Sequence, residues 1–261
     1  MPVALFVPGD RPERFPKAID AGANIVILDL EDAVAIERKT IARDAVRLAL
    51  QNRMRVCVRV NVAVSETGMA DLTMLAANPP DSVMLPKVTG PRDLDAARET
   101  LRGTPFIVLI ESIDGLRKID EIATVPGVAA LAFGGYDLCA ELGARPTPEV
   151  LAPYRSRIVF AARSAGIDAL DMPFVDLDDD VGLAEDARRA VDHGFDGKLA
   201  IHPKQVVPIQ SAFAPSPGEV ERARAIVDAA ANGGVVRVNG MMIDPPLVAA
   251  ARRVLARSNH G

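Results

Sequence analysis

The chain is poor in residues that staple, anchor or ligate. Two cysteines, Cys57 and Cys139, stand in 261 residues, too few for a disulfide framework. Both lie in apolar surroundings, which predicts small buried hydrophobes and a reducing, cytoplasmic setting. No apolar run approaches the ~20 residues of a membrane helix. The opening MPVALFVPGD lacks the basic stretch of an export signal, so neither export nor a membrane partner is expected. Thirty basic residues against 35 acidic ones give a net charge of −5 with no basic block, which argues against nucleic acid. His193, His202 and His260 are the only histidines and none pairs with another at ligand spacing, which disfavours zinc. There is no GxSxG elbow and no cysteine beside a histidine in sequence, so nucleophilic catalysis is poorly supported. The first apolar run leads into PGDRPERF rather than GxGxxG, which disfavours a dinucleotide.

What the chain does have is a series of short apolar runs, each ending on charge. Eight are strand candidates: Ala4–Val7, Ile25–Leu28, Arg55–Val60, Ser82–Leu85, Phe106–Ile110, Ala129–Phe133, Asp168–Leu170 and Lys198–Ile201. Runs this short, bounded by turn residues and separated by helical patterns, read as buried parallel strands. Helical spacing appears at Phe15, Ile19 and Ala23, and at Ile41, Ala45, Leu48 and Ala49. It recurs at Leu94, Ala97 and Leu101, with Pro91 in a first turn, and over Asp178–Val191, closed by Gly194. Eight strand–helix units in this length predict an α/β fold of the (β/α)8 TIM-barrel type, with an open doubly wound sheet as the alternative.

Residues 1–215 are assigned to the barrel and 216–261 to a C-terminal helical and hairpin appendage. The appendage is expected to comprise a helix over Gly218–Ala230, a turn at Asn232-Gly233-Gly234, and strands Val235–Val238 and Met241–Ile243 about an Asn239-Gly240 turn. A last helix, Leu247–Ala256, has Asp244 as its candidate N-cap. This tail has no place in an eightfold pattern, and it is expected either to cover the barrel mouth or to reach a neighbouring subunit.

In such barrels ligands sit outside the carboxyl ends of the strands. Asp29, Glu31, Asp32, Arg59, Lys87, Glu111, Asp137, Asp171 and His202 all sit at or just past the ends of strand candidates. Strand parity points Arg59, Glu111 and Asp29 or Glu31 inward at the mouth. Charges gathered there need one another or a ligand. Glu111 and Asp137 suit Mg²⁺, which one or two carboxylates hold along with waters; they equally suit an ion-pair network with Arg59 and Lys87. Ser112 reads as a helix cap, His202 as a structural histidine, and the acidic run Asp178–Asp180 as a solvated helix start.

The segment LFVPGDRPERFPKAIDAGANIVILDLEDAV resembles the signature of the citrate lyase beta-subunit-like family, which stands with metal-dependent pyruvate-type aldolases and malyl-CoA lyases. The resemblance continues in order through VRVN (58–61), MLPKV (84–88), IESIDGL (110–116), FGGYDLCAELGA (133–144), GKLAIHPKQV (197–206) and NGMMIDPPLVAAARRVL (239–255). It implies a (β/α)8 barrel with Mg²⁺ on Glu111 and Asp137, and Arg59 on the substrate carboxylate or reacting carbonyl. Glu31 and Asp32 would hold waters at the metal or orient Arg59.

The implied reaction cleaves or forms a C–C bond between a thioester enolate and an α-keto acid, with citryl-CoA, malyl-CoA and citramalyl-CoA among the family's substrates. Asp244, in the tail's MID motif, matches an acid that related lyases insert into a neighbour's active site, which implies a homo-oligomer, trimer or hexamer. Pyruvate aldolases of the wider superfamily use an early histidine as base; this chain has none before His193, which favours the thioester branch. Two other readings stand beside the lyase. One is a malyl-CoA-type thioesterase, in which water attacks the thioester. The other is a non-catalytic subunit of a citrate lyase-like complex, which would be expected to lose Arg59, Glu111 or Asp137.

Overall fold

The computed structural model describes residues 3–230, 236–238 and 241–258. Eight strands, β1 (Val3–Pro8), β2 (Ile25–Asp29), β3 (Cys57–Arg59), β4 (Ser82–Leu85), β5 (Phe106–Ile110), β6 (Val128–Phe133), β7 (Asp168–Asp171) and β8 (Gly197–Ala200), run parallel in chain order. β8 returns to pair with β1, so the barrel is closed and the open-sheet alternative falls. Each strand is buried on both faces, by the barrel interior and by the surrounding helices. That is why these strands read as continuous apolar runs rather than as alternating ones. The interior is filled from alternate positions: Ala4 on β1, Ile27 on β2, Cys57 on β3, Met84 on β4, Ile107 and Leu109 on β5, Ala130 and Ala132 on β6, Leu170 on β7 and Leu199 on β8. One step further along the same parity brings Arg59 and Glu111 to the mouth, both buried. Cys57, sealed inside, has its thiol pushed up to about 12 by burial, which leaves it inert.

The helices depart from the sequence pattern in three places. The first spans Phe15–Asp20 and leaves Ala23 outside, because Gly22 takes φ +77° and ends it. The helix Lys39–Gln51 buries Ala42, Val46, Ala49 and Leu50, whereas Ile41 and Leu48 are exposed. Two apolar stripes compete on that helix, and the one with the smaller side chains faces the barrel. The helix expected from Asp178 starts at Asp180, with Asp179 as the cap accepting the Gly182 N–H at 2.7 Å, and it runs to His193. Gly194 closes it at φ +94°. β3 is also shorter than its apolar run, and Arg55 lies outside it, exposed beside Asp81.

The chain divides into two compact units, Met1–Ile209 and Gln210–Gly261; the sequence pattern had suggested a boundary at 215/216. In the second unit helices Pro217–Ala230 and Pro245–Ser258 pack on each other. Its strands β9 (Val236–Val238) and β10 (Met241–Ile243) form an antiparallel pair with Ile243 opposite Val236. The predicted turns at Asn232-Gly233-Gly234 and Asn239-Gly240 lie outside the described residues. Asp244 caps the last helix, accepting the Leu247 N–H at 3.1 Å. Among the described residues no helix is long and apolar enough to cross a membrane.

Candidate functional site

The carboxyl ends of β2, β3, β4, β5 and β6 place five acids and two cations at one mouth of the barrel. Arg59 ends β3 directly opposite Asp29 in the β2–β3 ladder. Its guanidinium grips Asp29 with both prongs, Nε to Oδ1 at 2.7 Å and Nη2 to Oδ2 at 2.6 Å. Asp29 is fully buried, and it is held from behind by the N–H groups of Glu31 (2.8 Å) and Ala33 (3.0 Å). A planar fork on a fixed carboxylate gives Arg59 a single orientation. The third nitrogen, Nη1, lies 3.0 Å from Glu31 Oε2 and 3.7 Å from Asp32 Oδ2. The ring of Phe6 backs the guanidinium at 4.8 Å. Burial opposes the charge of Arg59, but Asp29, Glu31 and Asp32 outweigh it and hold the guanidinium ionised.

Glu31 is the unquiet member of this group. Its Oε2 is buried without a well-aligned hydrogen bond, although Arg59 is close. Burial pushes its carboxyl up to about 7, with Arg59 pulling it down and Asp32 pushing it further up. The backbone carrying it is clamped by Lys39, whose Nζ donates to the carbonyls of Leu30 (2.7 Å) and Glu31 (2.6 Å). Glu31 thus sits on a fixed loop with spare acceptor capacity.

Glu111 follows β5 and is buried. Its carboxyl is also pushed up to about 7, by burial first, with Lys87 acting in the opposite direction. Gly134 presses on it: a Cβ there would meet Glu111 Cβ at 2.3 Å, so only glycine lets the β6 loop approach this closely. Asp137 lies beyond β6 in the first turn of helix Gly135–Leu142. Lys87 stands between the two acids. Its N–H donates to Glu111 Oε1 at 2.7 Å, and its Nζ donates to Asp137 Oδ1 at 2.7 Å and lies 3.7 Å from Glu111 Oε2. To make both contacts Lys87 takes φ +54°, a left-handed conformation rare for a lysine. Arg59, Glu111, Asp137 and Phe6 line a common cleft with Gly134, Tyr136 and Pro173.

Among the described residues no three His, Cys, Asp or Glu side chains converge as a ready-made metal cage. The donor set is instead two carboxylates, Glu111 and Asp137, which share one positive charge, the Lys87 ammonium, through Glu111 Oε2 and Asp137 Oδ1. Mg²⁺ is commonly held by one or two carboxylates with waters and substrate oxygens completing the shell, so these residues fit that ion.

Of the residues singled out in sequence, Arg59, Glu31, Asp32, Glu111 and Asp137 are brought together at the mouth, and Lys87 with them. Asp244 belongs to the second unit, where it is an exposed helix cap. Ser112 caps its helix through the Gly115 N–H at 3.1 Å. His202 is exposed and accepts the Lys204 N–H at 3.2 Å. Sequence reasoning gave Asp29 no separate role, and it missed the partners of Asp171. Arg155, Asp171, Asp186 and Lys198 form a buried quartet between the barrel and its helices, Lys198 Nζ reaching Asp171 at 2.8 Å and Asp186 at 2.6 Å. The available signal was a lysine inside an apolar strand at outward parity.

Residues 3–203 match the HpcH/HpaI aldolase/citrate lyase family. The chain is 34% identical to a (3S)-malyl-CoA thioesterase of Cereibacter sphaeroides over 97% of its own length and 93% of the relative's. It is 35% identical to the citrate lyase subunit beta of Escherichia coli, over 97% and 92%. Among solved structures it resembles protein CitE of Mycobacterium tuberculosis in complex with magnesium, acetoacetate and coenzyme A, with TM-score 0.90 and 35% identity over 99% of this chain and 98% of the other. With matched motifs, a closed barrel and family-wide coverage in agreement, the chain belongs to the HpcH/HpaI aldolase/citrate lyase family.

Proposed function

We propose that the protein is a Mg²⁺-dependent C–C lyase that splits a 3-hydroxyacyl-CoA, of the citryl-, malyl- or citramalyl-CoA type, into a CoA thioester and an α-keto acid, or joins the two. One observation carries this reading: two carboxylates, Glu111 and Asp137, share a cation position beside a fully oriented arginine at the barrel mouth. Glu111 and Asp137 would hold Mg²⁺, which when bound supplies a Lewis acid for the keto-acid oxygens. Magnesium together with acetoacetate and coenzyme A in the Mycobacterium tuberculosis relative supports that choice.

The chain's own residues account for the rest. Arg59, locked by Asp29, presents its remaining N–H groups to the substrate carboxylate or to the oxygen on which charge develops, with no reorganisation needed. Glu31 and Asp32 keep Arg59 in place and accept hydrogen bonds from substrate or water. As the substrate hydroxyl becomes the keto-acid carbonyl it gives its proton to solvent, and the electron pair of the breaking C–C bond stays on the thioester fragment. A protonated Asp244 of a neighbouring subunit delivers its proton to that carbon; in the joining direction each transfer runs in reverse. That assignment requires a homo-oligomer, and the family resemblance favours a trimer or hexamer. Arg14 and Lys17 line a second cleft beside β1 and β8 together with His202, and the two cations offer the positive charge that phosphate groups of a CoA thioester need.

The Cereibacter relative supports a second reading, a malyl-CoA-type thioesterase working in the same site with water as the attacking group. Product analysis separates the two. Malyl-, citramalyl- and citryl-CoA are incubated with the protein plus Mg²⁺ or plus EDTA. A lyase releases an α-keto acid that phenylhydrazine traps, only with Mg²⁺. Free hydroxy acid together with free CoA would establish the thioesterase, and no turnover of any of them would overturn both.

A further inference from the structure

Lys87 is placed as no ordinary surface lysine is. It adopts a left-handed backbone conformation at φ +54°. In that conformation its N–H holds Glu111 Oε1 at 2.7 Å and its ammonium reaches across to Asp137 Oδ1 at 2.7 Å. Such strain persists only where the surroundings over-determine it, and it gathers at functional sites. Glu111 Oε1 is therefore committed to the Lys87 backbone, and its other oxygen, Oε2, faces Lys87 Nζ at 3.7 Å. Glu111 Oε2, the oxygen that acid has left for an external cation, and Asp137 Oδ1 are the two that the ammonium already faces. Both acids and Arg59 are otherwise accounted for, and no second cation lies within ion-pair distance of Asp137 among the described residues. The Lys87 side chain is 35% exposed while that of Glu111 is 2% exposed, so the lysine has a route to solvent and the glutamate has none. A flexible four-carbon stem can make that excursion at little cost.

We propose that Lys87 is a resident cation: its ammonium occupies the seat between Glu111 and Asp137 when no divalent ion is bound, and it withdraws when one binds. The inference rests on the assignment of Glu111 and Asp137 as the metal ligands. The ammonium neutralises two neighbouring carboxylates, one of them buried, that would otherwise repel each other. A divalent ion taken up by the same oxygens must displace that charge, because two cations cannot share the seat. The backbone N–H of Lys87 stays on Glu111 in both states and keeps the glutamate aimed. By linkage, whatever stability the ammonium gives the metal-free protein is lost from the affinity for the metal.

The test uses Mn²⁺, whose free ion is counted by electron paramagnetic resonance without any turnover, on the intact protein. Lys87→Met retains the backbone N–H and removes the charge. Lys87→Asn does the same with a residue that accepts the left-handed conformation more readily. Both variants are expected to bind Mn²⁺ at least threefold more tightly than the parent. Both should melt lower than the parent in EDTA, and the gap should close at saturating Mn²⁺. If the parent binds Mn²⁺ and both variants bind it equally or more weakly, Lys87 holds the ligands rather than competing for their seat, and the proposal is overturned. A melting deficit that is the same with and without Mn²⁺ overturns it as well. If the parent does not bind Mn²⁺, or Glu111→Gln binds it as the parent does, the ligand assignment itself fails, an outcome separate from the first two.

Discussion

Replacing Arg59 by lysine tests the fold and the chemistry together. The guanidinium makes three charge-assisted contacts, two with Asp29 at 2.7 and 2.6 Å and one with Glu31 at 3.0 Å, from a side chain only 11% exposed. A single ammonium can keep one partner of the Asp29 pair and loses the fork. One forfeited hydrogen bond to a charged group costs roughly 1.5–3 kcal/mol, and Asp29, fully buried, retains only the Glu31 and Ala33 N–H groups besides. We expect Arg59→Lys to lose about 2 kcal/mol, a drop in melting temperature of about 4–8 °C for a domain of this size. Arg59→Met, which leaves Asp29 with no countercharge, should lose roughly 3–5 kcal/mol.

The sequence pattern suggests that Arg59 matters to turnover more than to folding. The bidentate pair with Asp29 gives it a part in folding as well. Activity should fall too: at 25 °C, where Arg59→Lys is still folded, kcat/KM for the α-keto acid-releasing reaction is expected to drop at least about tenfold, equivalent to ~1.4 kcal/mol of transition-state stabilisation. Thermal melts by circular dichroism and initial rates on the same preparation settle both numbers. A variant that melts within 1 °C of the parent and turns over at the parent's rate would refute the reasoning at both levels.

Three further outcomes follow from the geometry. Lys198→Met leaves Asp171 and Asp186 to share Arg155 as their buried cation, so urea unfolding should show a loss of roughly 3–5 kcal/mol; a loss below about 1 kcal/mol would mean that the quartet is not the fastening it looks to be. Glu31 titrates near 7 in the fold against 4.5 in its absence, so the folded state binds its proton more tightly. Its contribution to stability is full below about 4.5 and is lost as pH rises through 7. In EDTA the melting temperature of Glu31→Gln relative to the parent should therefore rise between pH 5 and pH 7.5; a flat difference refutes the shift. Asp244→Asn and Arg59→Lys, each nearly inactive alone, should regain part of the activity when mixed with subunit exchange, whereas Asp244→Ser, which still caps the last helix, should stay inactive. Full activity in Asp244→Ser would reduce Asp244 to the cap that it visibly is.

The sequence by itself determined the barrel. Eight apolar runs, buried on both faces and punctuated by turn residues, lie within a residue or two of the eight observed strands, and their parity gave the inward side correctly. Helix signals that act within one turn were legible too: Ser112 and Asp244 as caps, and Gly194 as a stop, whereas the structure alone picked Asp179 out of the acidic run as the cap. The acids at the strand ends were legible as a set because a parallel barrel delivers every carboxyl end to the same mouth.

What only the tertiary structure decided is which charge meets which. Asp29 meets Arg59 across 30 residues, Lys87 meets Asp137 across 50, and Lys198 meets Asp171 across 27. Nothing in local spacing ranks those pairings above others, because they exist only once the barrel closes and fixes the distances. The same closure chose Ala42 and Val46 over Ile41 and Leu48 as the inner face of helix Lys39–Gln51. It also holds Lys87 in a backbone conformation that its side chain does not announce. Hydrophobic period and capping are properties of neighbours in sequence, whereas ion pairing and strain are properties of neighbours in space.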